Sequence, residues 1–249
     1  MSDFINNNII KLQTVDSTNN YATRLIISSV PEEWTIITAE EQLSGKGQKG
    51  NKWESEKGKN ILFSIIVYPH FLNISDQFLL SKAVSLGIHD VISMFSESVS
   101  IKWPNDIYVD NSKISGILIE NSISGLRINY SIIGIGLNVN QKIFLSEAPN
   151  PVSLCEILNK ELNKEEIFEM IILSIYKWYL LLKEGRHFII NDAYSNVMYM
   201  KGVESSFKDK NCSFTGKIKG VDHLGQLVIE KEGIDCFYGF KEVEFLKNL

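Results

Sequence analysis

Four polar clusters fall at expected strand ends or in loops, and each carries groups able to bind or move charge. The first is Asp16-Ser17-Thr18-Asn19. The second runs from Gln42 to Trp53 and sets Gly45, Gly47 and Gly50 among Lys46, Lys49 and Lys52. Glycine permits positive φ and close backbone approach, and successive free N–H groups in such a turn make an anion-binding nest. With its lysines the segment reads as a mobile loop for phosphate or carboxylate, or as a solvated linker. The third cluster, Lys102-Trp-Pro-Asn-Asp106, places a cation, an amide and a carboxylate around a rigid proline. In the fourth, Lys113 and Gly116 open a stretch that is almost wholly apolar. Taken singly, a polar turn accounts for the third and a snorkelling lysine for the fourth.

The elements around these clusters decide between motifs. Gly45-x-Gly-x-x-Gly50 spells a dinucleotide fingerprint, but that fingerprint has to open a helix. Here the next regular stretch, Asn60–Tyr68, is short and β-branched, which predicts a strand. A Rossmann site is therefore disfavoured, and no Gly-Lys-Ser/Thr ending makes a Walker A loop. Strands are also expected at Ile9–Val15, Trp34–Ala39, Val99–Trp103, Ile107–Val109, Lys113–Ile119 and Ile128–Leu137. Asp16 to Asn19 offer N-caps for a helix over Tyr21–Ile27. Gln77–Phe95 has helical apolar spacing, Pro149 and Pro151 mark a break, and Ser153 and Asn163 each begin a capping-box pattern. The helix from Asn163 to about Lys183 presents Ile167, Met170, Ile171, Ile175, Trp178 and Leu182 to a core. Strands cluster with few helices between them, so the class is α+β with a mixed or antiparallel sheet. From about Met200 the glycine-punctuated stretches Cys212–Val221, Gln226–Glu230 and Ile234–Phe240 predict a small appended β-barrel. The expected division is 1–199 and 200–249.

At 249 residues and 44% hydrophobic content the chain has enough apolar residues for a substantial core. A net charge of −5 argues against wholesale nucleic-acid binding. Arginine occurs only at 24, 127 and 186, so lysine supplies most of the cationic chemistry. Cys155, Cys212 and Cys236 are far apart and odd in number, which fits a reduced, cytoplasmic protein. The four histidines lack metal-ligand spacing, so no metal site built from protein alone is expected. The polar N-terminus and the lack of a long apolar run predict neither a signal peptide nor a membrane span.

Taken together, Asp16-Ser-Thr-Asn19, Gly45-Lys-Gly-Gln-Lys-Gly50 with Trp53, Lys102-Trp-Pro-Asn-Asp106, Lys113-Ile-Ser-Gly-Ile-Leu-Ile-Glu120 and Gly134-Ile-Gly-Leu-Asn-Val-Asn140 resemble the biotin–protein ligases in content and order. The resemblance covers nearly the whole chain and is to the short type without a DNA-binding domain. Eight residues precede the strand expected at Ile9, so a helix-turn-helix is not expected there. Gly220-Val-Asp-x-x-Gly225, with Phe240-Lys-Glu242, is similar to the family's C-terminal SH3-like barrel. The implied fold is the biotin/lipoate ligase type, related to class II synthetases, with a mixed sheet. One departure stands out. Well-known members carry Gly-Arg-Gly-Arg-Arg-Gly, whereas Lys46 and Lys49 keep charge without a bidentate fork and Gln48 loses the charge.

The resemblance implies that biotin and ATP, with Mg²⁺, form biotinyl-5′-adenylate, and that biotin then passes to a lysine of a biotin carboxyl carrier protein. Lys113, Asp106 and Lys46 are the implied catalytic residues, with Asp106 orienting the amine and taking its proton. Ser17, Thr18, Asn19, Gln42, Gly45, Lys46, Gly47, Gln48, Lys113 and Gly116 are implied at biotin. Lys49, Asn51, Trp53, Asn105, Asn138 and Asn140 are implied at ATP and the adenylate, with a core role equally open for Trp53. No DNA or membrane partner is expected, and the protein is expected to be a monomer or weak homodimer. Two rivals are lipoate or octanoate attachment on the same fold and a non-catalytic binding module. The first lacks its usual Arg-Arg-x-x-Gly-Gly-Gly stretch here, and the second fits poorly with an acidic chain whose barrel has no basic–aromatic interleaving.

Overall fold

A computed structural model describes residues 8–145 and 150–246. Pro149 and the side chain of Lys49 lie outside the described residues. Seven strands form the main sheet: β1 (Ile9–Val15), β2 (Thr35–Gln42), β3 (Ile61–Val67), β4 (Val99–Lys102), β5 (Asp106–Val109), β6 (Ser112–Ser124) and β7 (Arg127–Leu137). Their spatial order is β1-β2-β3-β7-β6-β5-β4. Helix α1 (Thr18–Ser28) carries the chain between β1 and β2, which pair in parallel, as a helical crossover requires. All other neighbours are antiparallel, so the sheet is mixed.

The sheet is covered unequally on its two faces. Helices α2 (Phe78–Ile92) and α4 (Lys164–Lys183) bury their apolar sides against one face, where Phe63, Ile65, Ile133 and Ile135 meet Val84, Ile88, Ile171 and Ile175 in the main core. On the other face, a smaller cluster joins Ala22 of α1 to Ile37, Ile66 and Ile132, with Tyr21, Leu25 and Ile26 of the helix packed around it. The rest of that face is left open, and the polar clusters gather there. A short α3 (Leu154–Leu158) begins at Ser153 with the expected capping box, and Asn163 caps α4 by accepting from Glu165 N.

A second, five-stranded antiparallel sheet is built from β8 (Glu204–Asp209), β9 (Ser213–Val221), β10 (Leu227–Lys231), β11 (Ile234–Tyr238) and β12 (Val243–Phe245), in the order β11-β10-β9-β8-β12. The described pairings do not join β11 to β12. Three elements are additions to the sequence reading, the short β12 among them. Helix α5 (His187–Asn196) contributes only Ile190 and Tyr194 as buried residues, too few for a periodic signal. Strand β8 alternates through Ser205 and Phe207 alone. Among the described residues no helix is long and apolar enough to cross a membrane.

Candidate active site

Register across the open face fixes the floor of the site. Side chains alternate along a strand, so Ser64, Gly134 and Leu118 form one row across β3, β7 and β6, and Leu62, Gly136 and Gly116 form the next. These glycines leave room for two side chains that reach down from above. A Cβ on Gly136 would lie 2.6 Å from Trp53 Nε1, and one on Gly134 would lie 2.9 Å from Asn19 Cγ. Above this floor opens a cavity of about 690 Å³.

One end of the cavity is neutral and densely hydrogen-bonded. Ser17, Thr18 and Asn19 are buried at the start of α1 and line it. Ser17 is the N-cap residue of α1 but makes no side-chain capping bond, and all three residues line the cavity. Gln42 Oε1 accepts from Thr18 N at 2.7 Å and from Thr18 Oγ1 at 3.1 Å. Ser64 Oγ lies 2.7 Å from Thr18 Oγ1 and 2.6 Å from Asn19 Oδ1. Asn19 Nδ2 donates to Glu120 Oε2 at 2.7 Å. Asp16 turns away and pairs with Arg24 at 2.8 Å; that hydrogen bond holds its carboxyl well below the usual carboxylate range.

The other end is charged. Lys113 Nζ is 2.6 Å from Asp106 Oδ1, and each side chain is only 22% exposed. Across the ladder Asp106 faces Gly116, which brings the carboxylate to the edge of the glycine floor. Lys113 Nζ also lies 5.6 Å from the Trp53 ring centre. Burial pushes the Lys102 ammonium below the ordinary lysine range, with Asp106 opposing that shift and Lys113 adding to it. Asn105 donates through Nδ2 to Ile117 O, fixing the segment after the cis Trp103–Pro104 peptide onto β6. In all, Lys46, Lys52, Lys102, Lys113 and Lys241 line the cavity against Glu54, Asp106 and Glu244. The chain is acidic overall, but this cavity favours anions.

The glycine loop departs from the open nest that its composition suggests. Gly47 N donates to Asn51 O at 2.7 Å, Trp53 N to Gly45 O at 2.9 Å, and Lys46 bridges Lys52, so the segment is a small hairpin. Those N–H groups are therefore spent within the loop. Only Gly50 of the three glycines has a positive φ, at 89°. Gly45 is needed for close approach instead, since its Cβ would meet Trp53 O at 2.6 Å.

A sequence profile of the Biotin/lipoate A/B protein ligase family matches residues 11–138. The chain belongs to that family. It is 29% identical over 244 residues to the bifunctional ligase/repressor BirA of Bacillus subtilis, an alignment spanning 95% of this chain and 74% of the relative. It is 25% identical over 231 residues to a biotin–[acetyl-CoA-carboxylase] ligase of Paracoccus denitrificans, spanning 88% and 92%. The fold is similar to that of a biotin protein ligase from Aquifex aeolicus in complex with biotin and ATP, with a TM-score of 0.81 at 26% identity over 97% of this chain and 99% of that one.

In this family member the cavity brings together Ser17, Thr18, Asn19, Gln42, Lys46, Gly47, Gln48, Asn51, Trp53, Asn105, Asp106, Lys113, Gly116 and Asn138. Gly45 is buried behind Trp53 and does not line it. Asn140 does not line it either: Asn140 Nδ2 donates to Leu162 O and Oδ1 accepts from Leu162 N, so its amide pins the approach to α4. Several contributors were missed by sequence reasoning. Ser64 carries a detectable signal, a lone hydroxyl in the apolar run Ile61–Val67. Phe144, Glu244 and Phe245 reach the cavity from segments distant in sequence, with nothing local to mark them, and Phe240 of the Phe240-Lys-Glu242 motif joins them. Apart from Asp106 Oδ1, whose partner is the Lys113 ammonium, two buried polar atoms of the lining, Trp53 Nε1 and Asn138 Oδ1, have no hydrogen-bond partner among the described residues. Buried polar groups are normally satisfied, and these two point to a ligand.

Proposed function

We infer that this chain is a biotin–protein ligase, which activates biotin with ATP and transfers it to a lysine of a carrier protein. The observation that carries this reading is the pairing of a neutral hydrogen-bonding pocket with an anion-favouring end across one glycine floor. The Thr18, Asn19, Gln42 and Ser64 cluster supplies both donors and acceptors, which suits a cyclic urea. Trp53 on Gly116 and Gly136 supplies an apolar wall for the ring and acyl chain.

In the first step a biotin carboxylate oxygen attacks the α-phosphorus of ATP, and the bond to the β-phosphate breaks to release pyrophosphate. Lys113 offsets the charge shared by the carboxylate and α-phosphate, with Lys46 and Gln48 above it. In the second step the carrier amine attacks the acyl carbon, the acyl C–O bond breaks and AMP leaves. A lysine amine starts near pKa ~10.4 and has to lose a proton, which Asp106 accepts while orienting the nitrogen. Asp106 is also the counter-ion of Lys113, so one pair serves both steps. Mg²⁺ binds mainly through substrate phosphates in sites of this kind. Among the described residues no cluster of three acidic, histidine or cysteine ligands exists, and the unpaired Asn138 Oδ1 fits a single protein contact to the ion. Bound there, Mg²⁺ would neutralise phosphate charge.

The biotin and ATP reading draws on the Aquifex aeolicus likeness and the carrier on the Paracoccus denitrificans ligase. We further propose that residues 1–199 form the catalytic domain and 200–249 an SH3-like barrel that covers the adenylate and meets the carrier, in the cytoplasm. The test is incubation with biotin, ATP, Mg²⁺ and a biotin carboxyl carrier domain, followed by mass analysis of the carrier. Addition of one biotinyl group is expected. Acceptance of lipoate in its place would overturn the substrate assignment.

A further inference from the structure

Lys102 ends β4, across the ladder from Asp106, and its side chain lines the cavity. The carboxylate opposite is taken by Lys113, and among the described residues Lys102 itself forms no ion pair. Its ammonium is held by aromatic groups instead. It lies 4.8 Å from the ring centres of Tyr108 and Phe245 and 5.6 Å from that of Tyr199, and it donates to Tyr108 Oη at 3.3 Å. These three rings come from β5, from the segment after α5, and from the last strand of the second sheet.

Aromatic faces attract a cation without neutralising it. An ammonium has three donors, and among the described residues one acceptor, Tyr108 Oη, meets it. Desolvating a charge without a counter-ion is costly, so a half-buried lysine kept this way beside a cavity is poised for an anion. Lys46 and Lys52 are exposed on the glycine hairpin, whereas the three rings fix Lys102 in advance. A cation that needs no reorganisation is the kind that stabilises charge appearing during reaction.

We propose that Lys102 binds the β- and γ-phosphates of ATP and the pyrophosphate they become, acting as a second fixed cation beside Lys113. The proposal rests on the ligase reading. Breaking the α–β bridging bond leaves the electron pair on the pyrophosphate oxygen, the largest new charge in the cycle. Lys113 is engaged by Asp106 and by the acyl-phosphate, so a separate cation for the leaving group has a distinct role. Phe245 gives the second sheet a direct part in holding that cation.

The test compares wild type, Lys102→Met, Lys102→Arg and Phe245→Leu in biotin-dependent ATP–pyrophosphate exchange, with biotin affinity measured by calorimetry and folding by thermal melts. For Lys102→Met the KM for ATP and the inhibition constant of inorganic pyrophosphate should both rise about 10- to 100-fold, the value of a lost hydrogen bond to a charged group. Biotin affinity should hold. Arginine should restore part of the loss, and Phe245→Leu should move the same constants by a smaller factor. Unchanged ATP and pyrophosphate constants would overturn the proposal. If the KM for the carrier rises instead, the partner is a carboxylate on the carrier. If only the melting temperature falls, the cage is a structural clamp. Absence of biotin-dependent exchange in wild type would refute the ligase reading itself, independently of any variant.

Discussion

Replacing Ser64 by alanine removes one hydroxyl from a fully buried position beneath the neutral end of the cavity. Its oxygen contacts Thr18 Oγ1 at 2.7 Å and Asn19 Oδ1 at 2.6 Å. A hydroxyl has a single proton, so it satisfies one of these acceptors at a time. The variant therefore loses about one buried hydrogen bond and strands an acceptor, at about 1–3 kcal/mol. In a chain of this size that corresponds to roughly 2–4 °C of Tm for each kcal/mol. The same loss frees Thr18 and Asn19 to turn from the orientation in which they face the cavity, so biotin affinity should fall about 10-fold, equivalent to 1.4 kcal/mol. Urea unfolding and calorimetric titration with biotin measure the two effects separately. Ser131→Ala is the control: its buried hydroxyl donates to Asn121 at 2.7 Å outside the cavity lining, and it should cost stability without touching affinity. If Ser64→Ala lowers stability yet binds biotin like wild type, the network is only structural and the reasoning is refuted.

Lys113→Ala should slow pyrophosphate release about 100- to 1,000-fold in single-turnover assays, and a wild-type rate would remove its role in activation. Asp106→Ala should impair transfer to the carrier more than adenylate formation, by about 100-fold; equal defects in the two half-reactions would contradict its role as proton acceptor. Gly136→Ala places a methyl 2.6 Å from Trp53 Nε1, so the indole has to move; biotin binding should weaken while the melting temperature stays near wild type, and intact binding would mean that Trp53 does not form the wall. Lys82 is buried and donates to Asn191 at 2.7 Å, and burial lowers its pKa from 10.5 to about 8. Between these values the unfolded chain holds the extra proton, so wild-type stability should rise with pH. Lys82→Met should gain up to about 3 kcal/mol below pH 8, fading toward pH 10.5; a pH-independent difference in denaturant melts would show that the lysine is not the source.

The main-sheet strands and the larger helices were legible because their apolar periods are long. β3 is buried throughout, and α4 repeats Ile167, Ile171, Ile175, Trp178 and Leu182 on one side. The turn at Asp110 and Asn111 was legible from its side-chain chemistry, since Asp110 adopts a positive φ of 50°. Helix α5 and strand β8 were not, because each buries only two residues, and their order comes from packing on neighbours.

For the site, the sequence by itself determined the residue types: a carboxylate and a lysine on two neighbouring strands, a polar quartet before α1, and glycines in β6 and β7. Those choices are local and chemical. Tertiary structure decided their meaning. Antiparallel register placed Gly116, Gly134 and Gly136 on one face and turned three glycines into a floor. The parallel β1–β2 crossover brought Thr18 and Asn19 over that floor, so residues that read locally as helix caps also line the cavity. The loop hydrogen-bonded to itself, so its glycines serve close approach around Trp53 more than an open nest. Lys102 became distinctive only when Phe245, 143 positions along the chain, closed an aromatic wall around it, because a cation's environment is set by what folds against it.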